Sequence, residues 1–356
     1  MRTGEPAWLL YGASGYTGEL IAREAVRRGM RPVLAGRSRT RIERLAAELD
    51  CPCAVFALED HTAMLDALQG MTAVLHCAGP FSATAPPMMQ ACLAARVHYL
   101  DITGEIDVFE LARGADDRAQ RAGIVLCPGV GFDVVPTDCV ALKLKEALPD
   151  ATHLALGFES RAGRSVGTAK TAVESLGLGC RVRREGHIVR LPLGALTRRI
   201  DFGAGERMAV AIPWGDVSTA YYTTGIGNIE VYVAASPRTI RRMRCMNWAR
   251  PLLRQPWLVR ALQRRIERTV KPPDRTQREA NETLVWGEVR NAGGRLVRAR
   301  LRTADGYQLT VSASLALLAE VIRGTHPPGF ATPARLVGAD FVTTLPGSSA
   351  IRLDTP

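Results

Sequence analysis

The chain has 356 residues, 47% of them hydrophobic, and carries 46 Lys and Arg against 35 Asp and Glu. That length suits about two domains with sizeable cores. No run of ~18 apolar residues predicts a membrane-spanning helix, and Arg2, Glu5 and the early glycines interrupt any signal-peptide core. The net charge of +11 is concentrated: thirteen Lys and Arg lie between Arg238 and Arg278, against Glu267 and Asp274.

The first third alternates short apolar runs with helical patterns, as in a doubly wound parallel sheet. An apolar run, Ala7 to Leu10, leads into Gly12, Gly15 and Gly18, and an amphipathic helix follows over 19–28. The second strand is expected over Pro32–Ser38 and its helix over Arg39–Leu49, with Ile42, Leu45, Ala46 and Leu49 at helical spacing. Strands are then expected at Ala54–Leu58, Ala73–Cys77, Val97–Asp101 and Ile124–Cys127. Helices are expected at Thr62–Leu68, Pro86–Ala95, Ile106–Ala122 and Pro136–Leu148.

After Pro149 the pattern changes to period-two alternation. Leu154–Glu159, His187–Pro192, Met208–Ile212, Ile229–Ala234, Leu296–Thr303 and Tyr307–Ser314 read as antiparallel strands. A helix is expected over Val166–Leu176, a basic helical stretch over 238–268, and a returning helix over Pro333–Thr343. The expected organisation is α/β: an N-terminal Rossmann-type domain over 1–135, with 328–356 returning to it, and an α+β substrate or dimerisation domain over 136–327 with a largely antiparallel sheet.

Strand, glycine turn and helix in that order form a phosphate-binding context. Gly12 permits the sharp turn, Gly15 lets backbone approach a pyrophosphate, and Gly18 lets the helix pack close to the strand. Ala13, Ser14, Tyr16 and Thr17 complete the loop that would hold the pyrophosphate at the helix N-terminus. The second strand ends about 20 residues further on, where an acidic residue would select NAD. Here the chain places Arg37 and Ser38, followed by Arg39 and Arg41. A guanidinium suits a 2′-phosphate, so NADP(H) is the expected cofactor. The loop Cys77-Ala78-Gly79-Pro80-Phe81 lies at a third strand end and is expected to line the nicotinamide, Phe81 against the flat ring.

Tyr99, Asp101 and Asp133 are the candidate catalytic groups, with Glu105, Asp138, Lys170, Tyr221 and Tyr222 as further polar candidates. Asp101 could equally cap the next helix, and Asp138 could offset a helix dipole. The six histidines show no metal-ligand spacing, so no metal is expected. Eight scattered cysteines, without a C-x-x-C pair, fit core thiols in a reducing cytoplasm. No Tyr-x-x-x-Lys pair or nucleophile elbow is present. In the basic stretch, Trp248, Leu252, Leu253, Trp257, Leu258 and Leu262 interleave with arginines. That pattern suits an acidic acyl carrier protein, an anionic membrane surface or a solvated face; no nucleic-acid reading element is seen.

Tyr11 to Gly18, Leu34 to Ser38, Gly79-Pro80-Phe81, Tyr99 to Glu105 and Gly129 to Asp133 together resemble the saccharopine dehydrogenase-like oxidoreductases. Pro213 to Ala220 with Thr224-Gly225, and Arg302 to Tyr307, resemble the second domain of the bacterial branch containing trans-acting enoyl reductases. The resemblance implies a Rossmann-type domain, a mixed-sheet second domain and NADPH-dependent reduction of an activated C=C on an acyl or polyketide chain. Reduction of an imine, ketone or aldehyde is the alternative activity, and a non-catalytic NADP-binding sensor is the alternative to an enzyme.

Overall fold

The computed structural model describes residues 6–160, 177, 179–253, 255–269 and 281–354. The expected helix Val166–Leu176, with Lys170, lies outside the described residues. The chain divides into two compact units, 1–132 with 310–337 and 133–309 with 338–356.

The first unit is built on a seven-stranded parallel sheet. Its strands are β1 (Trp8–Tyr11), β2 (Val33–Gly36), β3 (Cys53–Val55), β4 (Ala73–His76), β5 (His98–Asp101), β6 (Val125–Cys127) and β15 (Gly329–Phe330), in the order β3-β2-β1-β4-β5-β6-β15. β1 and β4 are buried along their whole length. Helices on both faces of a parallel sheet require this, which is why these strands read as unbroken apolar runs. Helix α1 (Tyr16–Arg27) turns Ile21, Ala22 and Ala25 inward, and α2 (Arg39–Leu49) turns Ile42, Leu45 and Ala46 inward. α3 (His61–Leu68) starts at Asp60, whose carboxylate accepts the Ala63 amide proton.

Two expectations shift here. Helix α4 runs Phe81–Ala95, so Pro86 and Pro87 sit inside it instead of opening it. The expected helix Ile106–Ala122 divides into α5 (Ile106–Gly114) and α6 (Asp116–Ala122) around Ala115. The returning segment enters the sheet as β15, beside β6, while residues from 338 onward belong to the second unit.

The second unit is built on a nine-stranded sheet. Its main path, β10-β11-β12-β7-β13-β14-β16, runs through Thr197–Asp201, Glu206–Ala211, Asn228–Ala234, Ala151–Ser160, Glu282–Asn291, Leu296–Ala304 and Arg352–Asp354. β8 (Cys180–Arg184) pairs with β12 and with β9 (His187–Leu191). β12 and β7 are parallel and the other pairs antiparallel. Helix α7 (Val135–Ala147) sits close on β13 because Gly287 has no side chain. A Cβ there would lie 2.6 Å from Leu144 Cδ1 and 2.7 Å from Val140 Cγ1.

The expected strand Tyr307–Ser314 is instead the start of a helix, Gly306–Ile322. Asp305 opens it: its carboxylate accepts the Tyr307 amide proton at 2.9 Å and its carbonyl accepts from Leu309. Leu309, Ala313, Leu317 and Val321 are buried at helical spacing. A short helix, Asp216–Thr224, is α8. The basic stretch forms two helices, α9 (Pro237–Leu253) and α10 (Pro256–Thr269).

Candidate cofactor site

In the first unit, the segments after β1, β2, β4, β5 and β6 all lie at the carboxyl edge of the parallel sheet, where open α/β sheets hold ligands. Gly12 adopts φ +81°, and a Cβ on it would lie 2.8 Å from the Ala78 amide nitrogen. The β1 and β4 loops therefore touch through a residue that must be glycine. A Cβ on Gly18 would lie 2.2 Å from the Gly12 carbonyl oxygen, so α1 can begin directly under the turn only because Gly18 lacks one. Gly12 and Ala13 donate to the Ala35 carbonyl at 2.8 and 3.1 Å, tying the turn to β2. The cradle presents the first-turn amides of α1, which have no intrahelical acceptors, together with the positive end of the helix dipole. Ser14, Tyr16 and Thr17 are half-buried along it, and Gly15 is exposed.

Arg37 follows β2 and is exposed, with half-buried Ser38 as the N-cap of α2. Some neighbouring arginines are neutralised locally, Arg23 by Glu19 and Glu48, Arg28 by Glu24, Arg31 by Asp50 and Arg39 by Glu43. Among the described residues no carboxylate pairs with Arg37. The cation stands open where a 2′-phosphate would lie, which fits NADP(H).

The β4 loop is held from two sides. His76 is fully buried and packs against Tyr11, Phe81 and Tyr99, with Phe81 edge-on at 5.4 Å. Its Nε2 lies 3.0 Å from Thr84 Oγ1, which donates to the Ala78 carbonyl at 2.6 Å. Nε2 therefore carries the proton, and burial lowers the imidazole pKa to about 3, keeping the ring neutral. From the other side, Glu105 accepts the amide protons of Phe81 at 2.9 Å and Ser82 at 2.7 Å. It caps α4 from a neighbouring loop. The Phe81 ring faces the apolar core and not the loop surface. Cys77, Ala78 and Pro80 are half-buried and Gly79 is exposed, so backbone edges line this part of the site.

Tyr99 and Asp101 are both fully enclosed. Tyr99 donates its hydroxyl proton to Asp101 Oδ2 at 2.7 Å, and Asp101 Oδ1 accepts from the amides of Thr103 and Gly129, each at 2.9 Å. Burial lifts the Asp101 carboxyl to about 6 against the pull of those three hydrogen bonds. Asp101 thus fastens the β5 loop to the β6 loop. It does not cap α5, where Glu105 is the N-cap residue. The β6 loop is fixed in turn by Thr310, whose Oγ1 accepts the Phe132 amide proton at 3.0 Å.

The second unit holds the remaining candidates. Asp138 is buried on α7 and accepts the Thr223 hydroxyl proton, joining α7 to α8. Asp216 is fully buried at the start of α8, and burial and the nearby Asp138 charge hold its carboxyl well above the usual carboxylate range. Asp133 is half-buried and adds to the same field. The Arg183 guanidinium lies over the Tyr221 ring at 4.1 Å and 5.8 Å from the Tyr222 ring, and donates to the carbonyls of Val217 and Gly186. Among the described residues no cluster of three or more His, Cys, Asp and Glu could hold a metal. No described helix is long and apolar enough to cross a membrane.

Residues 8–127 match the family described as the saccharopine dehydrogenase NADP-binding domain. A mitochondrial saccharopine dehydrogenase-like oxidoreductase of Arabidopsis thaliana is 30% identical over 195 residues, 48% of this chain and 43% of that protein. A Mycobacterium tuberculosis protein named a trans-acting enoyl reductase is 30% identical over 190 residues, 47% of this chain and 43% of that protein. The matched stretch covers less than half of each relative. Among solved structures, saccharopine dehydrogenase (L-Glu forming) from Saccharomyces cerevisiae aligns over 99% of this chain and 100% of its own. The TM-score is 0.67 at 11% identity, a likeness of fold.

Proposed function

Proceeding from an N-terminal domain that belongs to the saccharopine dehydrogenase NADP-binding family, we propose that this chain is an NADPH-dependent reductase of an activated C=C on an acyl or polyketide intermediate. The observation that carries the cofactor half of the reading is Arg37, an exposed cation without a carboxylate at the end of β2. The enoyl half is supported by the likeness to the mycobacterial relative, whose aligned stretch of 190 residues is longer than the matched NADP-binding domain.

The residues fit the cofactor. The α1 amides between Ser14 and Gly18 would hold the pyrophosphate, Arg37 and Ser38 the 2′-phosphate, and the backbone of Cys77 to Pro80 the nicotinamide edge. Bound NADPH would supply the hydride. The protein's work is then to fix where the nicotinamide edge lies. Glu105 and His76 hold the β4 loop from opposite sides, and Asp101 with Tyr99 holds the next two loops. On this reading Tyr99 and Asp101 act through the loops they fasten. Asp133, partly exposed, is the one of the three candidate groups that is not enclosed.

NADPH oxidation by the purified protein, followed against panels of enoyl thioesters, imines, ketones and aldehydes, tests this reading. Turnover confined to enoyl thioesters supports it. Turnover on imines or carbonyl compounds alone replaces the substrate class and keeps the cofactor. Tight NADPH binding without turnover on any panel favours the sensor.

A further inference from the structure

In the second unit α9 ends at Leu253, α10 starts at Pro256, and the two helices are in contact. Part of their surface is exposed to solvent. α9 is anchored along one strip. Ile240 is buried, Arg244 Nε donates to the Gly194 carbonyl at 2.9 Å, and Asn247 exchanges two 2.9 Å hydrogen bonds with the Leu193 backbone. The strip one residue further on, about 100° round the axis, faces solvent. It carries Arg238, Arg241, Cys245, Trp248 and Leu252. On α10 the exposed positions include Trp257, Arg260 and Arg264.

Trp248 is 92% exposed, Trp257 63% and Leu252 60%, the three most exposed large apolar side chains among the described residues. All fall within ten positions, at the corner where the helices meet. Arginines stand behind them on both arms. Arg241 precedes Trp248 by seven residues and Arg264 follows Trp257 by seven, roughly 10 Å of helix each. From Arg238 to Thr269 the sequence holds ten arginines and a single acidic residue, Glu267.

We propose that the α9–α10 corner docks on the surface of an anionic lipid membrane. The indoles and Leu252 enter the interfacial layer while Arg241, Arg260 and Arg264 meet lipid phosphates. Indole rings favour that layer, being apolar bodies with one polar handle. The near absence of acidic residues matches an anionic lipid surface. An acidic protein would answer the arginines equally well. The bare indoles at the tip, with cations on both flanks, favour lipid.

The test is co-sedimentation of the full chain with phosphatidylcholine vesicles containing phosphatidylglycerol and with phosphatidylcholine alone, read together with tryptophan emission. The expected result is binding and a blue shift on the mixed vesicles only, weakened by salt. The variant Trp248→Ala/Trp257→Ala should lose partitioning by roughly tenfold or more and lose the shift. Arg241→Ser/Arg260→Ser/Arg264→Ser should lose it on the order of a hundredfold, at about fivefold per cation. NADPH binding, carried by the other unit, should stay unchanged in both variants, and an unchanged circular dichroism spectrum and urea-unfolding curve report that they fold. Equal binding to both vesicle types, binding to neither, or undiminished binding by the folded variants overturns the proposal. So does retention on an acidic acyl carrier protein with no retention on vesicles.

Discussion

The Glu105 carboxylate accepts the Phe81 amide proton at 2.9 Å across a gap of 24 positions in the chain. Its second oxygen accepts from Ser82. One side chain on the β5 loop thereby caps the helix that leaves β4 and sets the height of the Cys77–Pro80 backbone. Glu105 is itself placed by its own amide, which donates to Thr103 Oγ1 at 3.0 Å.

Removing that carboxylate is expected to loosen the loop before it unfolds the domain. Glu105→Ala should cost roughly 1–3 kcal/mol, the range for a lost helix cap and two stranded donors. Hydrogen exchange at Phe81 and Ser82 should accelerate more than at β4 itself. Equal protection of those two amides in the variant would show that another group caps α4.

Asp101 gives the protein a signature in pH. Its carboxyl titrates near 6 when folded, above the ordinary value of 3.8. A raised acid is stabilising when protonated, so this contribution is complete below the unfolded pKa and is lost as pH rises through the folded one. Between pH 4.5 and 7.5 it should fall by roughly 2 kcal/mol. Asp101→Asn keeps an oxygen for the Thr103 and Gly129 amides and removes the titration. The stability difference between pH 7.5 and 4.5, from urea unfolding, should shift in favour of the higher pH by about that amount. An unchanged difference would mean that Asp101 does not titrate in this window.

His76 works in the opposite sense. Its imidazole is neutral when folded, with a pKa near 3 against an ordinary 6.5. A lowered base binds fewer protons in the folded state, so this contribution is full above pH 6.5 and is lost as pH falls toward 3. His76→Gln should therefore flatten the acid limb that Asp101→Asn steepens. If both variants move that limb the same way, one of the two protonation assignments is wrong.

The glycine turn should tolerate nothing larger. Gly18→Ala places a methyl 2.2 Å from the Gly12 carbonyl oxygen, a backbone atom that cannot swing aside. The variant should lose NADPH binding by at least tenfold or fail to fold, with a cost of order 1–3 kcal/mol. Gly114→Ala, where an added Cβ meets nothing within 4 Å, is the control and should bind normally.

The Rossmann-type half was legible because its signals are local. Three glycines at fixed spacing and strands buried on both faces leave their pattern in consecutive residues. The second sheet was legible where alternation is clean, as in Ile229–Ala234. It was not legible at Cys180–Arg184, where Arg181 and Arg183 are buried and break the rule that arginine marks solvent. Tyr307–Ser314 alternates like a strand, yet Asp305 starts a helix there. Glu105 and Asp101 stood out as residues, but what they do depends on which strands are neighbours. The pairing of β4 with β5, and of β5 with β6, brings Glu105 to Phe81 and Asp101 to Gly129, and no spacing in the sequence encodes that.

The central claim is that Arg37 reads the 2′-phosphate, and fluorescence titration of NADPH and NADH against wild type and Arg37→Asp tests it most directly. Wild type should bind NADPH at least tenfold more tightly than NADH. The variant should lose roughly 1–3 kcal/mol of NADPH affinity, the range for a charge-assisted contact, while its NADH affinity stays within about twofold. NADPH binding indifferent to the substitution, or wild type preferring NADH, would contradict the account.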